Sequence, residues 1–355
     1  LRPTELFAAR VSKEGKLLDP DSIRLNLDPA VQAGDPAVAF DGRQFLVVWQ
    51  SEFTLNLVRV NRDGTVEPPV LTLAEAFTSP APAPTIACGW RKCLVAWIDF
   101  GDPRSVRGVI VESDDMGLGT RELVISSAPS LAAFGISAAW GHDRFLVVWS
   151  DARTGTAQLI AARVRADGTV LDPAGIPLSD SPGQQTLPDV VATKHGFLVA
   201  WTDTRLGNPD IFATLVKPHG AVPDPDGFPI STGPETELQP ALAYNGSRVL
   251  ATWSRLTPER FSVRGNFVRA DSTLASPDGF VLSGGEFLRE VQQDVAVADG
   301  THFVVYGAAP IVEEPPFQVI LGTRVKKNGS RVDDPAIRIS HSPSVEDAAW
   351  TTGER

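Results

Sequence analysis

One apolar segment recurs six times along the chain, each time as a short run of hydrophobic residues that ends at or near an aromatic side chain. It reads Phe-Leu-Val-Val-Trp at 45–49 and 145–149, and Phe-Leu-Val-Ala-Trp at 197–201. The other copies cover 93–97, 249–253 and 303–307. The spacing of about 51 residues indicates repeated structural units that pack against one another along the chain.

Each apolar segment is the second of four predicted strands, which we name A, B, C and D. Strand A precedes a polar turn, as in 35–43, and strand C alternates apolar and polar residues up to an Asp-Gly turn, as in 57–64. Strand D follows Asp-Pro, as in 172–178. Strand B is apolar on both faces and is expected in the middle of a sheet, whereas the alternation of strand C is typical of a half-buried strand.

Four short antiparallel strands in a repeat of about 50 residues are typical of a β-propeller blade. The sequence therefore predicts an all-β protein, with one propeller domain of four-stranded blades over 1–355. A β-solenoid is the structural alternative, but solenoid repeats are usually shorter and do not contain three hairpin turns each.

The two ends of the chain predict how the ring closes. Residues 6–15 read as a strand C with its turn, 19–25 as a strand D, and 344–350 as a strand A. Together they would form a seventh blade whose strand B precedes Leu1 or follows Arg355, and a blade shared by both termini removes two open sheet edges. A six-bladed ring with frayed ends is the alternative.

The net charge and the length of the apolar stretches limit the kinds of partner that are expected. The formal net charge is −11 and the isoelectric point is about 5.0, which disfavours general binding to nucleic acid or to anionic membranes. No apolar stretch approaches the roughly 20 residues of a membrane-spanning helix, so membrane insertion is not expected. The predicted partner is a protein or a glycan. A larger surface assembly, with this chain as one subunit, is one form that such binding would take.

The only cysteines, Cys88 and Cys93, flank the A–B turn of one repeat. Directly opposed residues across such a hairpin have Cα atoms about 4.5–5.5 Å apart, within disulfide range. The same positions carry apolar pairs in other repeats, Phe40 with Phe45 and Trp140 with Phe145. A disulfide is predicted, with a reduced buried pair as the alternative, and it would place the protein outside a reducing cytosol: secreted, periplasmic or at the cell surface.

Charged residues recur where strand B meets strand C, as Asp151 with Arg153 and Asp203 with Arg205. One interpretation is a ring of functional charges on one face. The other is a structural one, in which the Asp caps the turn and pairs with its Arg. We favour the structural interpretation because catalytic residues are normally unique in a chain, and we therefore predict no catalytic residue.

No cofactor or metal site is predicted from the histidines or acidic clusters. The histidines are scattered over different predicted turns and are expected to be exposed: His142, His195, His219, His302 and His341. Acidic clusters at 112–115, 224–227 and 333–334 lack the regular spacing of a calcium loop, which leaves calcium as a minor alternative.

The Phe-Leu-Val-Val-Trp-x-Asp-x-Arg blade, complete at 145–153 and nearly so at 197–205, resembles repeats of uncharacterised secreted or surface propeller proteins of bacteria. The resemblance implies a propeller and no established activity. Our main hypothesis is a non-catalytic extracytoplasmic binding or scaffold protein that acts through its loops. The alternatives are a glycan-active hydrolase or lyase, or a lectin, with a site in the axial channel. Exposed aromatic candidates for a lectin site are Trp90, Trp140 and Trp350.

Overall fold

The computed structural model contains β-strands and turns, with no helix among the residues that it describes. These residues are 5–26, 33–51, 54–75, 83–101, 104–112, 121–127, 135–153, 155–269, 273–276, 279–285, 289–309 and 319–340. Within them, no helix is long and apolar enough to cross a membrane.

Six four-stranded antiparallel sheets follow one another along the chain, and each has the strand order A-B-C-D. Blade 1 is β3 (Gly34–Phe40), β4 (Phe45–Ser51), β5 (Thr54–Val60) and β6 (Val66–Ala74). Blade 2 is β7 (Thr85–Cys88), β8 (Lys92–Asp99), β9 (Ser105–Glu112) and β10 (Arg121–Ser126). Blade 3 is β11 (Ile136–Gly141), β12 (Arg144–Asp151), β13 (Gln158–Arg165) and β14 (Ile176–Pro177).

The remaining blades repeat this arrangement. Blade 4 is β15 (Gln185–Thr193), β16 (Gly196–Asp203), β17 (Asp210–Val216) and β18 (Phe228–Ser231). Blade 5 is β19 (Thr236–Tyr244), β20 (Val249–Leu256), β21 (Phe261–Val268) and β22 (Phe280–Val281). Blade 6 is β23 (Arg289–Ala298), β24 (Thr301–Ala309), β25 (Val319–Val325) and β26 (Ile337–Arg338). A two-stranded sheet, β1 (Phe7–Ala8) with β2 (Ile23–Arg24), precedes blade 1. The predicted β-propeller is confirmed.

The core lies between neighbouring blades. Strand B occupies the middle of every blade and its aromatic residue is fully buried in most of them, for example Trp149, Trp201 and Tyr306. The apolar cluster around Trp201 combines side chains of blades 3 and 4, and the cluster around Trp253 combines blades 4 and 5. Because burying one large apolar side chain contributes roughly 1.5–3 kcal/mol, these contacts between blades hold the sheets face to face.

An arginine of strand C ties the outer edge of blade 3 to the next blade. In blade 3, Arg163 forms a two-pronged ion pair with Asp172, with Nε–Oδ2 and Nη2–Oδ1 distances of 2.8 Å. Its Nη1 also donates to the carbonyl oxygen of Pro218, in the C–D turn of blade 4, at 3.3 Å. The Asp that precedes strand D therefore positions the arginine that reaches the following blade.

The same contact joins the two ends of the ring. Arg324 of blade 6 donates from Nη1 to the carbonyl oxygen of Lys13 at 3.3 Å, in the turn between β1 and β2. Arg10 donates from Nη1 to the carbonyl oxygen of Arg62, in the C–D turn of blade 1, at 2.6 Å. The two-stranded sheet thus stands between blades 6 and 1, with β1 and β2 in the places of strands C and D.

Apolar packing agrees with this placement. Leu6 and Leu25 join the cluster around Trp49 of blade 1, while Val11 and Leu17 pack against the cluster around Phe303 of blade 6. The segment predicted as the strand A of this seventh blade, 344–350, lies outside the described residues. A complete seventh blade therefore stays a prediction, beside the six blades that the structure describes.

Inner strands are fastened to one another at β-bulges, which interrupt the A–B pairing in blades 1, 4, 5 and 6. Beside the bulge of β15, Asp189 accepts hydrogen bonds from Ser137 Oγ of blade 3 and from the Leu242 amide of blade 5, both at 2.7 Å. One carboxylate therefore connects three blades. Burial raises the pKa of Asp189, and these hydrogen bonds oppose that rise.

Successive hairpin turns lie at opposite ends of antiparallel strands. The A–B and C–D turns consequently share one side of the ring, which we call the A–B face. The B–C turns and the D–A connections share the other side, the B–C face. The residues singled out by the sequence lie on both faces.

Candidate functional site

On the B–C face of blade 3, the B–C turn is built around Asp151. Its Oδ1 accepts the Arg153 amide at 2.9 Å, and its Oδ2 accepts the indole N–H of buried Trp149 at 3.2 Å and the Arg153 guanidinium. Burial raises the pKa of Asp151, but the hydrogen bonds from Arg153 and Trp149 outweigh it, and the net shift is downward. The ionised carboxylate therefore links the buried Trp149 indole to the B–C turn.

Blade 4 repeats this geometry more tightly. Asp203 Oδ2 accepts the Trp201 indole N–H at 2.7 Å and Arg205 Nη2 at 2.6 Å, and its Oδ1 accepts the Arg205 amide at 2.8 Å. Arg205 also lies 4.1 Å from the centre of the Phe212 ring and donates to the carbonyl oxygen of Asp226. Both charges are therefore engaged within their own blade.

Blade 5 also has an ion pair at this place, but here the basic residue stands on strand B and the acidic residue comes from another strand. Arg255 occupies the place that Asp203 has in blade 4, and its partner is Glu237 at the start of β19, with an Arg255 Nε to Glu237 Oε1 distance of 2.7 Å. The amide of Glu237 donates to the carbonyl oxygen of Pro209 at 2.9 Å, which holds β19 against the B–C turn of blade 4. The ion pair of blade 5 is thus placed next to the charges of blade 4.

This placement brings two buried carboxylates, those of Asp210 and Glu237, within electrostatic range of each other. Asp210 is 1% exposed and Glu237 is 0% exposed. Asp210 Oδ1 accepts the Gly233 amide at 3.1 Å, whereas Asp210 Oδ2 and Glu237 Oε2 have no hydrogen-bond partner within the described part of the chain. Burial, together with the negative charges of Glu237 and Asp203, raises the pKa of Asp210. Asp210 therefore takes up a proton more readily than an ordinary aspartate does.

The surface above this junction carries a pocket lined by 234–236 of a D–A connection and by 256–258 of the B–C turn of blade 5. Glu237 follows directly but is fully buried, so its carboxylate does not line the pocket. In the described ranges, no group of three or more histidine, cysteine, aspartate or glutamate side chains is arranged to hold a metal ion.

On the A–B face, a disulfide closes the A–B turn of blade 2. Cys88 and Cys93 are directly paired across the hairpin and joined, with an S–S distance of 2.00 Å and a Cα–Cα distance of 4.0 Å. The predicted disulfide is confirmed. We call the turn that it closes, 88–93, the stapled turn.

The stapled turn presents Trp90 to solvent. Its side chain is 61% exposed, the largest value among the exposed large hydrophobic residues of the described chain. A Cβ atom at Gly42 would lie 2.7 Å from Cε3 and Cζ3 of the indole, so one edge of the ring rests against the glycine in the A–B turn of blade 1.

Three exposed arginines lie in or beside the A–B turns of blades 1 and 2. Arg91 follows it in the stapled turn and donates its amide to the carbonyl oxygen of Asp41 at 3.1 Å. Arg43 follows Gly42, and its amide is fixed by Asp41 Oδ1 at 2.7 Å. Arg62 lies over the Phe40 ring at 4.6 Å, at the base of the same turn. All three arginine residues are exposed.

The other aromatic candidates differ from Trp90. Trp140 is half-buried, packs against Phe145 in a tilted arrangement with 4.6 Å between ring centres, and lies against Gly89. Trp350 is outside the described residues. Of the tryptophans considered for a lectin site, the described structure therefore displays Trp90 alone as an exposed ring.

The expectation that the histidines are exposed is confirmed for His195 and His219, whereas His142 is half-buried and His341 lies outside the described residues. It is wrong for His302. Strand β24 begins at Thr301, one residue earlier than a turn position would require, so His302 lies within the sheet and is 2% exposed. Its ring packs against Phe267 at 5.5 Å, and its Nε2 lies 3.1 Å from the carbonyl oxygen of Ala243. Burial lowers the pKa of His302 to about 4, so the ring is neutral at physiological pH.

Solved structures share the fold. The lectin BP39L from Burkholderia pseudomallei is 15% identical, with a TM-score of 0.60 over 94% of this chain and 96% of that chain. A protein of unknown function from Dyadobacter fermentans is 13% identical, with a TM-score of 0.55 over 84% and 96%. No family model and no curated protein matches the chain. At such identities the likeness establishes the propeller fold alone.

Sequence reasoning missed the acidic residues at the blade 4–5 junction. A signal was present, because Gln185, Glu237 and Glu290 recur at the repeat spacing and are all buried. The recurrent Arg of strand C and the Asp before strand D were visible as well, but nothing in the sequence paired Arg163 with Asp172.

Proposed function

We propose that this chain is a non-catalytic extracytoplasmic binding protein whose partner docks on the stapled turn. The observation that carries the proposal is Trp90, an indole held out to solvent on the turn that contains the chain's only disulfide. Exposed tryptophan and arginine are the residue types that most often dominate binding energy. A closed turn loses little conformational freedom on binding, and this favours affinity.

The extracytoplasmic location is supported by two observations. The Cys88–Cys93 disulfide is compatible with an oxidising compartment. The resemblance of the Phe-Leu-Val-Val-Trp-x-Asp-x-Arg motif to repeats of secreted or surface bacterial proteins agrees with export. A protein or a glycan partner is compatible both with a secreted protein and with one at the cell surface.

A hydrolase or lyase site in the axial channel is the alternative. It would require carboxylates that reach a substrate there. Asp189 on the inner strand β15 is instead buried and bonded to Ser137 and to the Leu242 amide. This use of an inner-strand carboxylate supports a structural role for it.

The test is retention of material from secreted and cell-envelope fractions of the natural source on immobilised protein. We expect a component that is retained by the wild type, lost with Trp90→Ala and kept by Leu206→Ala, which removes a similarly exposed apolar side chain (60%) on the B–C face. Retention that does not depend on Trp90 would contradict the proposal, and so would chemical conversion of the retained component by the protein.

A further inference from the structure

Two turns of the A–B face share the sequence Asn-Gly-Ser-Arg, at 245–248 and at 328–331. In both, the asparagine stands two residues before a serine, which is the pattern at which sugars are attached to asparagine side chains. No other asparagine of the sequence has a serine or threonine at this distance. Because the two sequences are identical, the surroundings of each side chain decide whether its amide can be modified.

The amide nitrogen of Asn328 is available for modification. This residue lies in the C–D turn of blade 6 and is exposed. Its Oδ1 accepts the amide of Ser330 at 3.1 Å and the hydroxyl of Ser330 at 2.8 Å. Since the oxygen and the nitrogen of an amide lie on opposite sides of Cγ, Nδ2 is directed away from these donors. It makes no hydrogen bond to the described part of the chain.

The turn needs the side-chain oxygen at this position and has no use for the nitrogen. Blades 1 and 3 have Asp63 and Asp167 in the same place, and their Oδ1 atoms accept the amides of Thr65 and Thr169, both at 2.9 Å. An aspartate therefore suffices to form the turn. The nitrogen of Asn328 serves no contact of the fold, and a group attached to it would break no hydrogen bond.

Asn245 has the opposite arrangement. It is half-buried in the A–B turn of blade 5, and its Nδ2 donates to the carbonyl oxygen of Gly300 in the A–B turn of blade 6 at 3.1 Å. Its Oδ1 accepts the amides of Ser247 and Arg248, both at 3.1 Å. A sugar on Nδ2 would take the place of a hydrogen bond between two blades, at a cost to stability.

We propose that Asn328 is an N-glycosylation site and that Asn245 is not. In the transfer, Nδ2 forms a bond to the anomeric carbon of a sugar that is activated as a phosphate ester. The bond between that carbon and the phosphate oxygen breaks, the oxygen keeps the electron pair, and Nδ2 loses one proton. The modification lies on blade 6, and it does not depend on which partner docks on the stapled turn.

The test is peptide mass analysis of the tagged full chain, produced in its natural source as wild type and as variants. Cleavage after glutamate separates the two sites, with Asn245 on 238–259 and Asn328 on 314–346. We expect 314–346 to carry the mass of one or more sugar residues and 238–259 to be unmodified. Asn328→Asp should lose the added mass completely. Because it keeps the oxygen acceptor that Asp63 supplies in blade 1, this variant should still fold.

Three further variants sharpen the test. Ser330→Ala should lose the sugar, whereas Ser330→Thr, which keeps the hydroxyl group, should retain it. Asn245→Asp is the matched control and should leave the sugar on 314–346. An unmodified 314–346 peptide in the wild type would overturn the proposal. A sugar that persists in Asn328→Asp would place the modification on another side chain, and a sugar on 238–259 instead would contradict the distinction between the two turns.

Discussion

The B–C turn of blade 4 and the stapled turn of blade 2 use the same kinds of side chain in opposite ways. In blade 4, Asp203 ties the Trp201 indole and the Arg205 guanidinium together, and all three groups serve the fold. In blade 2, the indole of Trp90 is turned outward, and a covalent bond between Cys88 and Cys93 holds the turn instead. The covalent bond in blade 2 therefore takes the structural role that the Asp203 carboxylate has in blade 4.

The largest expected effect is on the blade 4 side of this comparison. Asp203→Ala leaves Arg205 and the buried Trp201 indole N–H without their acceptor, which should lower the free energy of unfolding by about 3–5 kcal/mol. Denaturant unfolding followed by tryptophan fluorescence would measure it. A loss below about 1 kcal/mol would show that the turn does not depend on this carboxylate.

The A–B turn of blade 6 can be compared with the two turns described above. His302 sits beside the A–B turn of blade 6, buried and neutral, with its pKa lowered to about 4. The unfolded chain takes up a proton near the ordinary pKa of about 6.5, so stability falls as the pH drops from there to about 4, by about 3 kcal/mol. His302→Gln, whose amide can still donate to the Ala243 carbonyl, should remove that part of the acid sensitivity.

The measurement for His302 is the free energy of unfolding of wild type and variant at several values between pH 7 and pH 4. The difference between the two proteins should grow in the acid direction. A constant difference would mean that His302 titrates normally in the folded protein. His195→Gln, at an exposed turn position, serves as the control.

Opening the disulfide probes the stapled turn itself. The pair Cys88→Ser with Cys93→Ser should lower stability by about 2 kcal/mol, because the bond closes only a short loop. It should also expose the peptide bonds after Arg91 and Lys92 to trypsin, while the C–D turn at 62–64 keeps its wild-type cleavage rate. Mass spectrometry of the digest would show both, and an unchanged cleavage pattern would mean that the turn is rigid without the bond.

A smaller gain is expected at the junction of blades 4 and 5. The pKa of Asp210 is raised by burial and by Glu237 and Asp203, so its charge destabilises the fold at neutral pH. Asp210→Asn keeps the acceptor for the Gly233 amide and removes the charge, which should stabilise the protein by about 1 kcal/mol at pH 7. The advantage should shrink as acid protonates Asp210 in the wild type, and thermal unfolding at pH 7 and pH 4.5 would show it. A destabilised variant at pH 7 would mean that the carboxylate is needed as an ion.

The repeat in the sequence was sufficient to predict the blades, because hydrophobic alternation and turn residues act within a single hairpin. Cys88 and Cys93 could be paired for the same reason, since Phe40 and Phe45 occupy their places in blade 1. Contacts between blades escaped prediction. The approach of Glu237 to Asp210, the reach of Arg324 to Lys13 and the burial of His302 depend on how separate repeats pack, and one repeat does not encode that packing.

The most direct test of the division between the two turns is Trp90→Ala, measured side by side for stability and for retention of the partner from native fractions. Because the side chain is 61% exposed, the free energy of unfolding should stay within about 0.5 kcal/mol of the wild type, while binding is lost. A marked fall in stability with binding unchanged would contradict the account, since Trp90 would then belong to the fold and the partner would dock elsewhere.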